Sequence, residues 1–320
     1  MPDKFMRMQR AYADSPRPTM LAIAGDSAAG KTTLTNGLVA ALGEHRSTSI
    51  CVDDYHRYDR DERRALPFTP LHPDCNHVQI MEQHLQLLAM GQPILKPVYD
   101  HADGKLCRPV LVEPREVVIA EGLLPLYTRL ARACFDVTVF LAPPDLVRRE
   151  WKIRRDTDQR GYDRDQVIAE MARRERESAQ FIQPQRREAD IVVSFAPVEG
   201  RDDPPDTPLS ATLILRPTIR HPNFAELLTD APRAPGATAH LKLMRDADGS
   251  PVDALHIHGH ASTEDSEVLA KAIWASLDVS TPMPGCLGRL EDGTGTRNLP
   301  LLLTQLILLY HLNRAAPRLP

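Results

Sequence analysis

Residues Gly25 to Thr33 read GDSAAGKTT, and no other stretch limits the possible folds as strongly. The string fits G-x-x-x-x-G-K-[ST], a loop whose backbone N–H groups wrap nucleotide phosphates while a lysine reaches the outer phosphates and a hydroxyl binds Mg²⁺. Lys31 and Thr32 hold those two positions. Such a loop works only between a buried strand and a helix. Met20 to Ala24 (MLAIA) is a short apolar run suited to a buried strand, and Lys31 to Leu42 has helical composition. A helix beginning there points its free N–H groups and positive dipole end at the phosphates. Gly25, Asp26, Ser27, Ala28, Ala29, Gly30, Lys31, Thr32 and Thr33 are therefore expected to cradle a nucleotide, with Mg²⁺ on Thr32. The alternative is a glycine-rich turn without a ligand.

Apolar strand-like runs recur at Thr48 to Val52, Glu116 to Ala120, Phe135 to Leu141 and Ala189 to Phe195, separated by helical stretches. That alternation predicts an α/β fold with a mostly parallel, helix-covered sheet. Asp103-Gly104 predicts a turn between two short extended segments. Pro197 to Pro208 is the best boundary, and beyond it short strands at 212–215, 240–244 and 252–258 precede helical patterns at 264–277 and 299–314. The expected layout is a flexible arm at 1–18, a nucleotide-binding core at 19–197 with a lid near 151–161, and a β-rich extension with a terminal helix at 198–320. The arm lacks the apolar core of a signal peptide. Leu299 to Leu312 is too short to span a bilayer and is broken by Gln305, which predicts a buried helix. With 320 residues, 42% of them hydrophobic, the chain can bury a sizeable core, and a net charge of −4 gives no sign of a nucleic-acid or membrane binder. The 5 cysteines show no zinc or C-x-x-C spacing, as expected of a cytoplasmic protein.

A phosphate loop alone does not tell a kinase from a GTPase. A kinase acting on a hydroxyl compound also needs a carboxylate to orient or accept the hydroxyl proton. Asp53 and Asp54 follow the second strand, at the sheet edge that carries ligands, and either suits that task or serves as a turn aspartate. His56, Arg57 and Arg60 follow, and arginine pairs bidentately with phosphate, so this block suits an anionic substrate or is a solvated charged loop. Glu121, after an apolar strand, stands where an acid would hold Mg²⁺ or its waters, or is a plain strand-end glutamate. Lys152, Arg154, Arg155, Asp156 and Arg160 lie on a charged helix that is either solvated or a lid bringing arginines to the transferring phosphoryl group. His256, His258 and His260 alternate along HIHGH and share one strand face, read as polar rather than metal-binding because no carboxylate or cysteine lies near in sequence. The arginines of 173–187 interleave with glutamates, which predicts a salt-bridged helix.

Taken together, GDSAAGKTT, CVDDYHRYDR, KPVYDH, VVIAEGLLPLY, WKIRRDTDQRG and IQPQRREADIVV occur in an order that resembles the phosphoribulokinases of cyanobacteria and plants, within the phosphoribulokinase/uridine kinase family. The resemblance covers about 21–195 and continues weakly to GTGTRNLPLLLTQLILLYHL. It implies a P-loop kinase fold and transfer of the γ-phosphoryl of MgATP to ribulose 5-phosphate, giving ribulose 1,5-bisphosphate. It implies Asp53 as base, with Lys31 and Asp156 also catalytic. His56, Arg60, Tyr99 and His101 match sugar-phosphate contacts, Lys152, Arg155 and Arg160 match the lid cations, and Thr32 and Glu121 match the Mg²⁺ site. A homodimer is implied as well. The alternatives are a uridine kinase-like enzyme of the same fold and a non-catalytic ATP sensor.

Two positions depart from that pattern. Leu124 replaces the family's usual histidine in EGLHP. Cys51 matches one half of the relatives' redox pair, but its loop partner is replaced by Ala29. Oxidation should therefore not inactivate the chain through Cys51. An oxidant-induced, dithiol-reversible loss of activity that disappears in Cys51→Ser would contradict this.

Overall fold

A computed structural model describes residues 17–158, 160–204, 207–229, 238–277, 279–290 and 297–315. Most of the predicted arm, residue 159 of the lid and the start of the GTGTR segment lie outside these. Strand β1 (Thr19–Gly25) is buried along its whole length, as a strand covered on both faces must be, and so reads as one continuous apolar run. It pairs in parallel with β5 (Val117–Gly122) on one side and β6 (Val137–Leu141) on the other. Beyond β5 lies β2 (Ser47–Cys51), and beyond β6 lies β7 (Ile191–Ala196), all parallel. The chain thus leaves β1 in one direction and later resumes on its other side, which opens a crevice at the carboxyl end of β1.

The sheet does not stop at the proline-rich boundary. Strand β8 (Ser210–Leu215) returns antiparallel along β7, with Ile191 opposite Leu215 and Ala196 opposite Ser210. Antiparallel β10 (Pro251–Ile257) and β9 (Ala239–Arg245) then complete an eight-stranded sheet. A separate two-stranded hairpin is formed by β3 (Ile94–Asp100) and β4 (Lys105–Val112), turning at Gly104 beside the expected Asp103.

Helices cover both faces because successive β1 side chains point to opposite sides. Leu21 and Ile23 pack with Leu34 and Leu38 of α1 (Lys31–Leu42). Met20 packs with Met81, Leu85 and Leu88 of α2 (Val78–Ala89). Two charged helices, α3 (Asp145–Asp158) and α4 (Arg164–Glu177), form an arm after β6. Helix α5 (Thr263–Ala275) and the terminal α6 (Leu299–Ala315) join the α1 side of the core. Every residue of α6 from Pro300 to Leu309 is buried, which accounts for a helix apolar all round. Among the described residues no helix is long and apolar enough to cross a membrane. Gln305, the break in that apolar run, accepts the Gly288 N–H at 2.8 Å. A Cβ on Gly37 would lie 1.9 Å from its Nε2, so glycine there lets α1 and α6 approach.

Strand pairing also completes the histidine pattern. His240 of β9 lies opposite His256 and stacks on His256 and His258 at 4.8 and 5.0 Å between ring centres, while His260 lies 4.9 Å from His258. Among the described residues no group of three histidine, cysteine or acidic side chains is arranged to hold a metal ion. Burial, then the neighbouring imidazoles His240, His260 and His256, push His258 down to about 4. The unfolded chain therefore binds more protons than the folded one as pH falls from the ordinary histidine value toward 4, so this contribution to stability is present above that window and lost through it. Thermal unfolding midpoints should fall on going from pH 7 to pH 5, and His258→Gln should flatten part of that fall. An identical pH slope in the variant would contradict it.

Candidate active site

Sharp reversal of the chain after β1 forms the loop. Ala28 takes a left-handed φ of 61°, the one non-glycine residue to do so among those described, and Gly30 follows at 93°. Ala29 points into the core, 1% exposed. Lys31 is buried, and its Nζ donates to the carbonyls of Gly25 at 3.0 Å and Asp26 at 2.9 Å, spanning the loop. No side chain caps α1, which leaves its first-turn N–H groups to an anion.

The two aspartates after β2 separate cleanly. Residues Val52–Tyr55 form a single 3₁₀ turn that sends Asp53 and Asp54 in different directions. Asp54 is ion-paired with Lys96 and accepts the Tyr99 N–H at 3.1 Å, so it braces the β3–β4 hairpin. Asp53 accepts the Leu123 N–H at 2.7 Å, beside the end of β5. A Cβ on Gly122 would lie 2.4 Å from Val52 Cγ2 and 2.7 Å from Asp53 Oδ1, and glycine makes that approach possible. Glu121 is buried, and its Oε1 accepts the Thr32 hydroxyl at 3.1 Å. Burial pushes the Glu121 carboxyl up, Lys31 opposes this, and the Asp53 charge adds to it. Two acids crowded in a buried place are stabilised by a cation. The hydroxyl and carboxylate oxygens of Thr32 and Glu121 are the hard donors that suit Mg²⁺, which retains several waters and takes one or two carboxylates. Burial and the charges of Asp53, Glu121 and Asp54 drive the Cys51 thiol well up, keeping it protonated and unreactive.

Aromatic rings and cations line the adjoining wall. The His56 ring meets Tyr99 edge-on at 4.8 Å, and Tyr99 meets His101 at 5.0 Å. His56 is buried, pairs through Nδ1 with Asn76 Oδ1 at 2.7 Å, and is pushed down to about 3 by burial and then by Arg63. It is therefore a neutral hydrogen-bonding group beside the arginines of its block. Arg60 donates to the carbonyls of His101 and Ala102 at 2.6 and 3.1 Å, which ties it to the hairpin turn.

Asp156 gathers the expected lid cations. It accepts from Lys152 Nζ at 2.7 Å and Arg155 Nε at 2.9 Å, with Arg160 at 3.4 Å. Burial works to raise its carboxyl, but the bonds from Arg155 and Lys152 outweigh this and hold it below the ordinary range. Lys152 is lowered to about 8, first by burial and then by Arg174. Arg155 also reaches Ser27 Oγ at 3.4 Å, so α3 rests against the loop.

Several neighbours of the site were not singled out from sequence. Arg63 donates to the Tyr99 hydroxyl, lies over its ring at 4.8 Å, and has a buried Nη1 without a hydrogen-bond partner. Its spacing of three from Arg60 in the short helix Arg60–Arg63 was the available signal. Lys96 opens the KPVYDH string and Arg174 lies among the arginines of 173–187, but nothing in the local pattern marks Ser178.

The sequence profile of the phosphoribulokinase/uridine kinase family matches residues 20–200. A phosphoribulokinase of Synechocystis is 36% identical over 204 residues, covering 64% of this chain and 61% of that protein. The chloroplastic phosphoribulokinase of Spinacia oleracea is 30% identical over 197 residues, 56% of this chain and 49% of its own length. The chain thus spans less than two thirds of the length of these curated relatives. A uridine kinase of Lactiplantibacillus plantarum is 32% identical over 183 residues, covering 55% of this chain and 87% of the relative. The solved phosphoribulokinase of Rhodobacter spheroides superposes with a TM-score of 0.58 at 17% identity, covering 82% of this chain and 96% of that one, which establishes the fold. With the loop, the strand order and the profile match agreeing, the chain belongs to the phosphoribulokinase/uridine kinase family.

Proposed function

We propose that the protein is an ATP-dependent sugar-phosphate kinase that converts ribulose 5-phosphate to ribulose 1,5-bisphosphate. The observation that carries this reading is Asp53, held by the Leu123 N–H beside the Thr32–Glu121 pair and separated in role from its salt-bridged neighbour Asp54. A base placed next to a phosphate loop and a magnesium-type donor pair suits phosphoryl transfer to a hydroxyl.

In this mechanism the N–H groups of the loop and Lys31 bind the phosphates of ATP. Thr32 and Glu121 would hold Mg²⁺, which when bound neutralises phosphate charge. Asp53 orients the 1-hydroxyl of the sugar and accepts its proton as the hydroxyl oxygen takes the γ-phosphoryl group, leaving ADP. His56, Arg60, Tyr99 and His101 form the sugar-phosphate wall, with Arg63 adding an unpaired guanidinium N–H suited to a phosphate oxygen. Lys152, Arg155 and Arg160, aligned by Asp156, offset the charge that spreads over the transferring group. Arg60 contributes through the hairpin it braces.

Arg63 over the Tyr99 ring favours a phosphorylated sugar over an uncharged nucleoside. Five free cysteines support a reducing, cytoplasmic setting, and likeness to the plant and cyanobacterial branch supports a homodimer. Turnover of MgATP with ribulose 5-phosphate, other pentose phosphates and uridine tests the reading. We predict turnover with ribulose 5-phosphate well above that with uridine. Good uridine activity with none on ribulose 5-phosphate would assign the chain to the uridine kinase side, and nucleotide binding without any transfer would make it an ATP sensor.

A further inference from the structure

The second residue of the phosphate loop has no set side chain in the loop pattern, yet Asp26 is one of the most engaged residues here. It is 4% exposed. Its Oδ1 accepts the Ser27 N–H at 2.6 Å, and its Oδ2 accepts the Ser178 hydroxyl. Arg148 Nη1 lies 3.6 Å from the same Oδ2. Its backbone carbonyl takes Lys31 Nζ.

These partners come from both sides of the arm that reaches the loop. Arg148 is on α3, whereas Ser178 opens a π-helical turn, Ser178–Ile182, directly after α4. Single π turns inside helices often mark functional positions. Ser178 is itself buried at 7% exposure. One carboxylate thus joins the phosphate loop to the start and the end of the α3–α4 arm.

A carboxylate in a loop built to bind phosphates is an electrostatic liability, because like charges at close range repel. A hydroxyl donor and an arginine on Oδ2 hold that charge toward the arm and partly neutralise it. We propose that Ser178 is a positioning residue for nucleotide binding: by donating to Asp26 it fixes the loop carboxylate away from the bound phosphates and keeps the Asp26 carbonyl in place for Lys31. This rests on the kinase reading only in requiring that the loop bind nucleotide.

The test is the dissociation constant for MgADP, measured calorimetrically on the full chain and its variants. Ser178→Ala should weaken MgADP roughly tenfold, the scale of one hydrogen bond to a charged acceptor. Ser178→Thr, which keeps the hydroxyl, should retain most of the affinity. Asp26→Asn combined with Ser178→Ala should recover much of the loss, because no charge is then left to turn toward the phosphates. A purely structural role for Ser178 would not produce that recovery. If Ser178→Ala does not fold, Ser178→Cys, a weaker donor of similar shape, replaces it and should also lose affinity. Equal affinity in wild type and the serine variants, or an additive loss in the double variant, would overturn this inference alone. A wild-type chain that binds no nucleotide would overturn the kinase reading together with it.

Discussion

Burial of β1 between β5 and β6 is the constraint on which the site depends. With both faces and both edges of β1 occupied, the chain can leave it only at Gly25, and it does so through the phosphate loop into α1. Parallel pairing then brings the ends of β2 and β5 to the same edge, with Cys51 opposite Glu121. Asp53, Glu121 and Thr32 meet there although 89 residues separate the last two. This grouping is thus a consequence of strand order, and a one-residue slip of β5 would turn Glu121 to the opposite face.

Charge is divided between two sides of the candidate site. Acids occupy the floor, where Glu121 is pushed up by burial and by Asp53, and cations occupy the arm, where Lys152, Arg155 and Arg160 share Asp156. A cation beside the acids would offset the repulsion between Glu121 and Asp53. The arm already touches the loop through Arg155 and Ser27, so loop and arm form one unit.

Local elements were legible in the sequence because their signals are local. MLAIA followed by GDSAAGKTT contains strand, turn and helix start in one stretch, and the apolar runs of β5, β6 and β7 differ from their predicted limits only at the ends. Contacts between distant segments were not legible. Asp53 and Asp54 are identical in type and adjacent, and only Lys96 and Leu123, placed by other strands, tell them apart. His56 stands in a block that reads equally as an anion grip or a solvated loop, and only its burial against Asn76 and Tyr99 shows it to be a buried neutral group. The fourth histidine, His240, comes from a neighbouring strand, as Ser178 comes from the far end of the arm.

In the proposed reaction Asp53, and no other acid at this edge, takes the proton of the acceptor. Steady-state turnover and MgATP affinity of Asp53→Asn test it most directly, since the amide keeps the shape and the Leu123 contact but removes the base. MgATP affinity should be unchanged and kcat lower by roughly 10²–10⁴-fold. Unchanged turnover would contradict it and place the base elsewhere.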